Sequence, residues 1–84
     1  MADKQLFSVF PNPSKDFATI SFSQPIENAI IAVYDMLGKA IFTQMLNGSI
    51  NTYKLNTGKL TSGIYVIKVV TTTGSYNEKL IINK

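Results

Sequence analysis

Five carboxylates, Asp3, Asp16, Glu27, Asp35 and Glu78, are the only side chains in this 84-residue sequence with an evident capacity for acid–base or metal chemistry. Histidine, cysteine, tryptophan and arginine are all absent, which removes the usual nucleophile and base pairs, the thiolate and imidazole metal ligands, and guanidinium clamps. A glycosidase-type reaction needs two carboxylates facing each other across a cleft. Here they are spread along the chain about one per segment, so no catalytic residue and no cofactor is expected. Calcium would require turns carrying Asp16 and Asp35 to converge, because a hard cation takes several oxygens. Asp35 is better suited to bonding its own downstream backbone in a turn, and no metal site is expected. The eight basic residues are all lysine and lie scattered from Lys4 to Lys84, giving a net charge of +3. Without arginine forks or a clustered stripe, that charge argues against a nucleic-acid partner.

The elements that would carry these residues are strands. Apolar and polar residues alternate with period two, and β-branched and aromatic residues fill the runs. Leu6 to Phe10 reads as a first strand stopped by Pro11 and Pro13, and Phe17 to Ser23 as a second, with Ala18, Ile20 and Phe22 inward. Residues 24–28 read as a connection to a central strand, Ala29 to Tyr34, whose Ile31 and Val33 face the core. Asp35 and Gly38 make a hairpin turn into Lys39 to Met45, since glycine takes a positive φ at little cost. Asn47-Gly48 marks another turn before Ile50 to Leu55, with Tyr53 and Leu55 inward. Tyr65, Ile67 and Val69 share the inner face of a sixth strand, and Tyr76 to Asn83 forms the seventh. The glycine and tyrosine of Leu60-Thr61-Ser62-Gly63-Ile64-Tyr65 fit a tyrosine corner, with the ring packed and the hydroxyl returned to the backbone. The expectation is all-β: a seven-stranded, immunoglobulin-like β-sandwich of antiparallel sheets, with outward positions mainly Thr, Ser, Asn and Lys.

A chain of this size makes one small domain with no internal boundary, and the lack of cysteine leaves stability to apolar packing and strand pairing. No run approaches the length of a membrane-spanning helix, and Met1-Ala2-Asp3-Lys4-Gln5 lacks the apolar segment of a secretory signal. The expectation is therefore either a cytoplasmic protein or a fragment whose export signal lies on a preceding N-terminal part. Among the aromatics, Tyr76 and Phe42 are the candidates for stacking on sugars.

Four segments, Phe10-Pro11-Asn12-Pro13, Tyr34-Asp35-Met36-Leu37-Gly38-Lys39, Leu60-Thr61-Ser62-Gly63-Ile64-Tyr65 and Lys79-Leu80-Ile81-Ile82-Asn83-Lys84, resemble in order and spacing the C-terminal sorting domain (type A) of proteins exported by the bacterial type IX secretion system. The resemblance covers the chain from about Phe7 to Lys84, with Pro11, Asn12, Pro13, Asp35, Gly38, Gly63 and Tyr65 as its motif positions, and leaves residues 1–6 as a residual linker.

What the resemblance implies is a non-catalytic secretion signal at the end of a larger cargo protein. Cargo would pass through the periplasm, be read by outer-membrane type IX translocon components, and reach the cell surface or medium. There a sortase-like surface peptidase would in many cases cut N-terminal to the first strand. Lys39, Lys79 and Lys84 are the candidate translocon contacts, because an exposed charge adds little to stability and the last strand also offers backbone edge for strand addition. The isolated domain is expected to be a monomer or weak dimer. The alternative is an autonomous immunoglobulin-like adhesion or carbohydrate-binding module, whose mark would be an exposed apolar or aromatic patch on one sheet face.

Overall fold

In the computed structural model, which describes residues 7–11 and 14–84, the alternating runs form five strands. These are β1 (Phe7–Phe10), β2 (Phe17–Tyr34), β3 (Ala40–Asn56), β4 (Gly63–Thr71) and β5 (Gly74–Ile82), and every pairing between them is antiparallel. Five replace the expected seven because residues 24–28 and 47–48 bend the chain without ending the pairing. Pro25 has no amide to donate, and the β2–β3 register shifts between Ser21 and Ile26 and again between Glu27 and Ala29. Asn28 (φ 53) and Gly48 (φ 79) take left-handed backbone there, and the Gly48 amide donates to Asn28 Oδ1 at 3.2 Å. Such bulges bend and twist a strand while preserving the ladder on either side.

The bend lets two strands serve both layers of the sandwich. The first half of β2 pairs with β1 and with the second half of β3; its second half pairs with β4 and with the first half of β3. β5 extends the second layer beside β4. Between the layers lie Ala18, Ile20 and Phe22 from one side and Ile31, Val33, Ile67, Val69 and Leu80 from the other, all buried. Phe7 closes the core against Phe22, ring centroids 5.9 Å apart and tilted by 55°. Inward assignments made from period two hold throughout, down to buried Leu55 and half-buried Tyr53.

Outward positions depart from expectation. Ile64 is 42% and Met45 60% exposed, with Val66 and Val70 half-buried on the same outward register of β4 as Ile64. The strand Gly63–Thr71 carries apolar residues on both faces, so alternation identifies its inner face and says nothing true of its outer one.

Two buried polar residues tie the loops to the sandwich. The Ser14 amide donates to the Ile81 carbonyl at 2.8 Å and its own carbonyl accepts from Asn83 N at 2.9 Å, so the C-terminal end of β5, expected to be open edge, is closed by a parallel bridge. Thr57 donates its hydroxyl to the Lys15 carbonyl at 3.0 Å and its amide to that of Asp16 at 2.9 Å. No buried side-chain N or O among the described residues lacks a partner.

Candidate functional site

A hairpin turn needs one side chain able to stand in for missing backbone partners, and Asp35 does this. Its Oδ1 accepts the amides of Leu37 and Lys39, both at 2.9 Å, while its carbonyl accepts Gly38 N and its amide donates to the Lys39 carbonyl, both at 3.0 Å. Gly38 takes φ 85, as the sequence predicts for this position. That carboxylate oxygen is thereby committed to the turn, and no group of three His, Cys, Asp or Glu among the described residues could hold a metal.

The tyrosine corner forms as well. Tyr65, 7% exposed, donates its hydroxyl to the Thr61 carbonyl at 2.8 Å, with Thr61 Oγ1 3.2 Å away. Gly63 opens β4 opposite Ile82. Tyr65→Phe should lower the unfolding free energy by about 0.5–1.5 kcal/mol, the net worth of one hydrogen bond, because the Thr61 carbonyl belongs to an exposed residue. Urea titrations of the two proteins measure this, and coincident midpoints would remove the corner from the account of stability.

The distant motif segments meet at one end of the sandwich. Ser14 bridges Ile82, Ile82 faces Gly63, Val66 lies beside Tyr34, and the 35–39 turn follows directly. Pro11 is exposed, follows a cis bond from Phe10, and accepts the Ser14 hydroxyl; Asn12 and Pro13 lie outside the described residues, as do residues 1–6. The chain enters β1 at Phe7, opposite Phe22, beside the bend and therefore at the other end.

Of the three lysines, Lys39 and Lys79 share a region. Lys79 is exposed and lies opposite Val66, which neighbours Tyr34, which pairs with Ala40 next to exposed Lys39. Three strand spacings, about 14 Å, separate the two. Lys84 is placed differently: its amide donates to Ser62 Oγ at 3.0 Å and its ammonium to the Gly58 carbonyl at 2.6 Å, fastening the terminus to the 57–62 loop.

Sequence reasoning missed two features. Ser14 and Thr57 sit among residues typical of loops, and nothing local marks them as buried. Met36 and Leu37, 67% and 94% exposed at the turn, were given no role between Asp35 and Gly38. The sugar-stacking candidates are displaced: Phe42 and Tyr76 pack against the core, and the exposed rings are Phe10 and Phe17, the latter with the Lys54 ammonium 4.4 Å from its centroid.

This architecture is shared with solved proteins. A DUF3244 family protein from Bacteroides vulgatus, described as an immunoglobulin-like β-sandwich, superimposes with a TM-score of 0.70 over 89% of this chain and 84% of its own, at 12% identity. CopC from Methylosinus trichosporium does so at 0.61 over 87% and 80%, at 18% identity. At such identities the likeness is one of fold, and it defines an immunoglobulin-like module.

The chain belongs to the secretion system C-terminal sorting domain family, whose model matches residues 8–83. An endo-acting ulvan lyase of Formosa agariphila is 36% identical over 75 residues, a match that takes in 88% of this chain and 14% of the lyase. The chain therefore spans about one seventh of that relative's length. It is a type IX sorting signal borne by a larger protein, it is not itself an enzyme, and its role is export to the cell surface or the medium.

Proposed function

We propose that this domain delivers its cargo from the periplasm to outer-membrane type IX translocon components, and then presents it to a sortase-like surface peptidase acting N-terminal to β1. Lys39, Lys79 and Lys84 are assigned to the receptor contact. One observation carries the reading: the segments that mark the family gather at one end of the sandwich, away from Phe7, where the chain enters. A receptor engaging that end leaves the opposite end clear for the cargo. Lys39 and Lys79 are exposed on that surface, where their charges contribute little to folding. The carbohydrate-binding alternative would rest on Phe10 and Phe17, but Lys54 already occupies one face of the Phe17 ring.

The test is a fusion of the 84-residue chain behind a periplasm-targeted fluorescent protein in a host with the type IX system. The reporter is expected at the cell surface or in the medium, and in the periplasm of a strain lacking the translocon. Periplasmic retention in both strains, with the domain folded, would overturn the sorting reading.

A further inference from the structure

A strand at the edge of a sheet can accept another strand, and natural sandwiches blunt such edges by shortness, proline, bulges or charge. Here the blunting is uneven. β1 is four residues long and runs into Pro11. β5 carries Glu78 and Lys79, and its end is closed by the Ser14 bridge to Ile82. Among the described residues β3 pairs with β2 alone along its whole length, so it is an edge in both layers. Its second half carries Lys54. Its first half, Ala40 to Leu46, has no charge, proline or glycine, and its ladder with β2 runs unbroken from Phe42 to Leu46. Beyond that ladder the Gln44 side-chain amide donates to the Met45 carbonyl at 2.9 Å, an exposed contact that another strand can replace.

We propose that residues 40–46 of β3 pair antiparallel with the same residues of a second copy, about a two-fold axis at Thr43, joining the two second layers into one continuous sheet. The strand is complementary to itself. Phe42 and Leu46 pack against the core, which leaves Ile41, Thr43 and Met45 on the outward face, with Ile41 40% and Met45 60% exposed. Turning the strand about Thr43 sets Ile41 opposite the second copy's Met45, once on each side of the axis, and Thr43 opposite its counterpart. Apolar pairs and threonine pairs of this kind stabilise antiparallel ladders. Lys39 falls opposite the second copy's Asn47, so no like charges meet. Met45 also lies beside Ile30, and Ile30 beside Val70, so apolar residues already run across this face from β3 to β4. An arbitrary strand would match the edge in its backbone alone, whereas a second copy matches it in side chains as well. One short ladder is a small contact, below the roughly 1,200 Å² at which stable interfaces begin, so the dimer is weak.

Sedimentation of the purified 84-residue chain measures this association. The mass should rise from monomer toward dimer between about 10 μM and 1 mM, and a chain that stays monomeric throughout overturns the proposal. Thr43→Lys and Thr43→Glu each set like charges face to face at the two-fold, so each variant alone should associate about tenfold more weakly than the parent, or worse. Mixed in equal amounts, the two set an ammonium opposite a carboxylate and should form a heterodimer at least as readily as the parent dimerises. Position 43 is exposed, and urea midpoints near the parent's show that both variants fold. If either does not, Met45→Lys, which sets an ammonium against the second copy's Ile41, carries the same expectation of weakened association. A dimer that survives Thr43→Lys, or variants that stay monomeric when mixed, would put the contact elsewhere and overturn the proposal. In the reporter fusion Thr43→Lys should be exported like the parent. Periplasmic retention of this folded variant would assign the edge to a strand of the receiving protein and overturn the second copy as its occupant, whereas retention of the parent fusion bears on the sorting reading alone.

Discussion

Leu80→Ala is expected to remove about 2–5 kcal/mol of stability, a large share of what a domain of this size holds. Leu80 is fully buried on β5 and lies opposite Tyr65 in the β4–β5 ladder, so truncation opens a cavity directly behind the tyrosine corner. Leucine-to-alanine changes at such sites cost about 2–5 kcal/mol. A domain of this length holds roughly 4–13 kcal/mol at the usual stability per residue, and without a disulfide it has no covalent reserve. Strain is also poorly shared, because β3 contributes only Leu55 as a fully buried residue along its length. Urea titration of parent and variant measures the loss, with Lys79→Ala as a neighbour pointing outward and expected to shift stability by less than about 0.5 kcal/mol. A Leu80→Ala cost below about 1 kcal/mol would mean that β5 is not packed into the core as described.

How far residues alone reveal such a fold depends on whether the deciding interaction is local. The inner faces of β2 and β4 were legible because alternation is a local signal, and one sheet face must be buried for it to exist at all. So were the Asp35 turn and the Tyr65 corner, whose bonds span only two to four residues. Strand continuity was not legible. Pro25, Asn28 and Gly48 are breakers by type, and only their cross-strand partners, Ile50 and Ser49 opposite Ile26 and Glu27, hold the ladder together around the bend. Ser14 and Thr57 were hidden for a similar reason, since Thr57 bonds across 42 residues to Lys15. The candidate lysines show the same division. Lys39 and Lys79 are exposed as expected, but that they lie on neighbouring strands of one layer, and that Lys84 is tied to Gly58, depends on tertiary neighbours.

The placement of Lys84 decides how the charge hypothesis must be tested. Its ammonium donates to the Gly58 carbonyl and its amide to Ser62, so Lys84→Gln removes a local tie along with the charge. A net hydrogen bond is worth about 0.5–1.5 kcal/mol, enough to confuse lost recognition with a loosened terminus. Lys39→Gln with Lys79→Gln leaves the terminal tie of Lys84 in place. Both residues are exposed, and each lies outside the buried set that holds the layers together. Exposed charges of this kind alter stability by under about 1 kcal/mol. Two missing positive charges at a complementary interface, by contrast, slow association and weaken it most at low ionic strength. The double variant is therefore expected to unfold at nearly the parent's urea midpoint while its reporter accumulates in the periplasm. Lys39→Arg with Lys79→Arg keeps both charges and should restore export, which separates a need for charge from a need for side-chain shape. If the folded glutamine variant is exported at the parent level, the lysines are solubilising groups. The receptor then reads the end of the sandwich through its turns, the one that Asp35 closes among them.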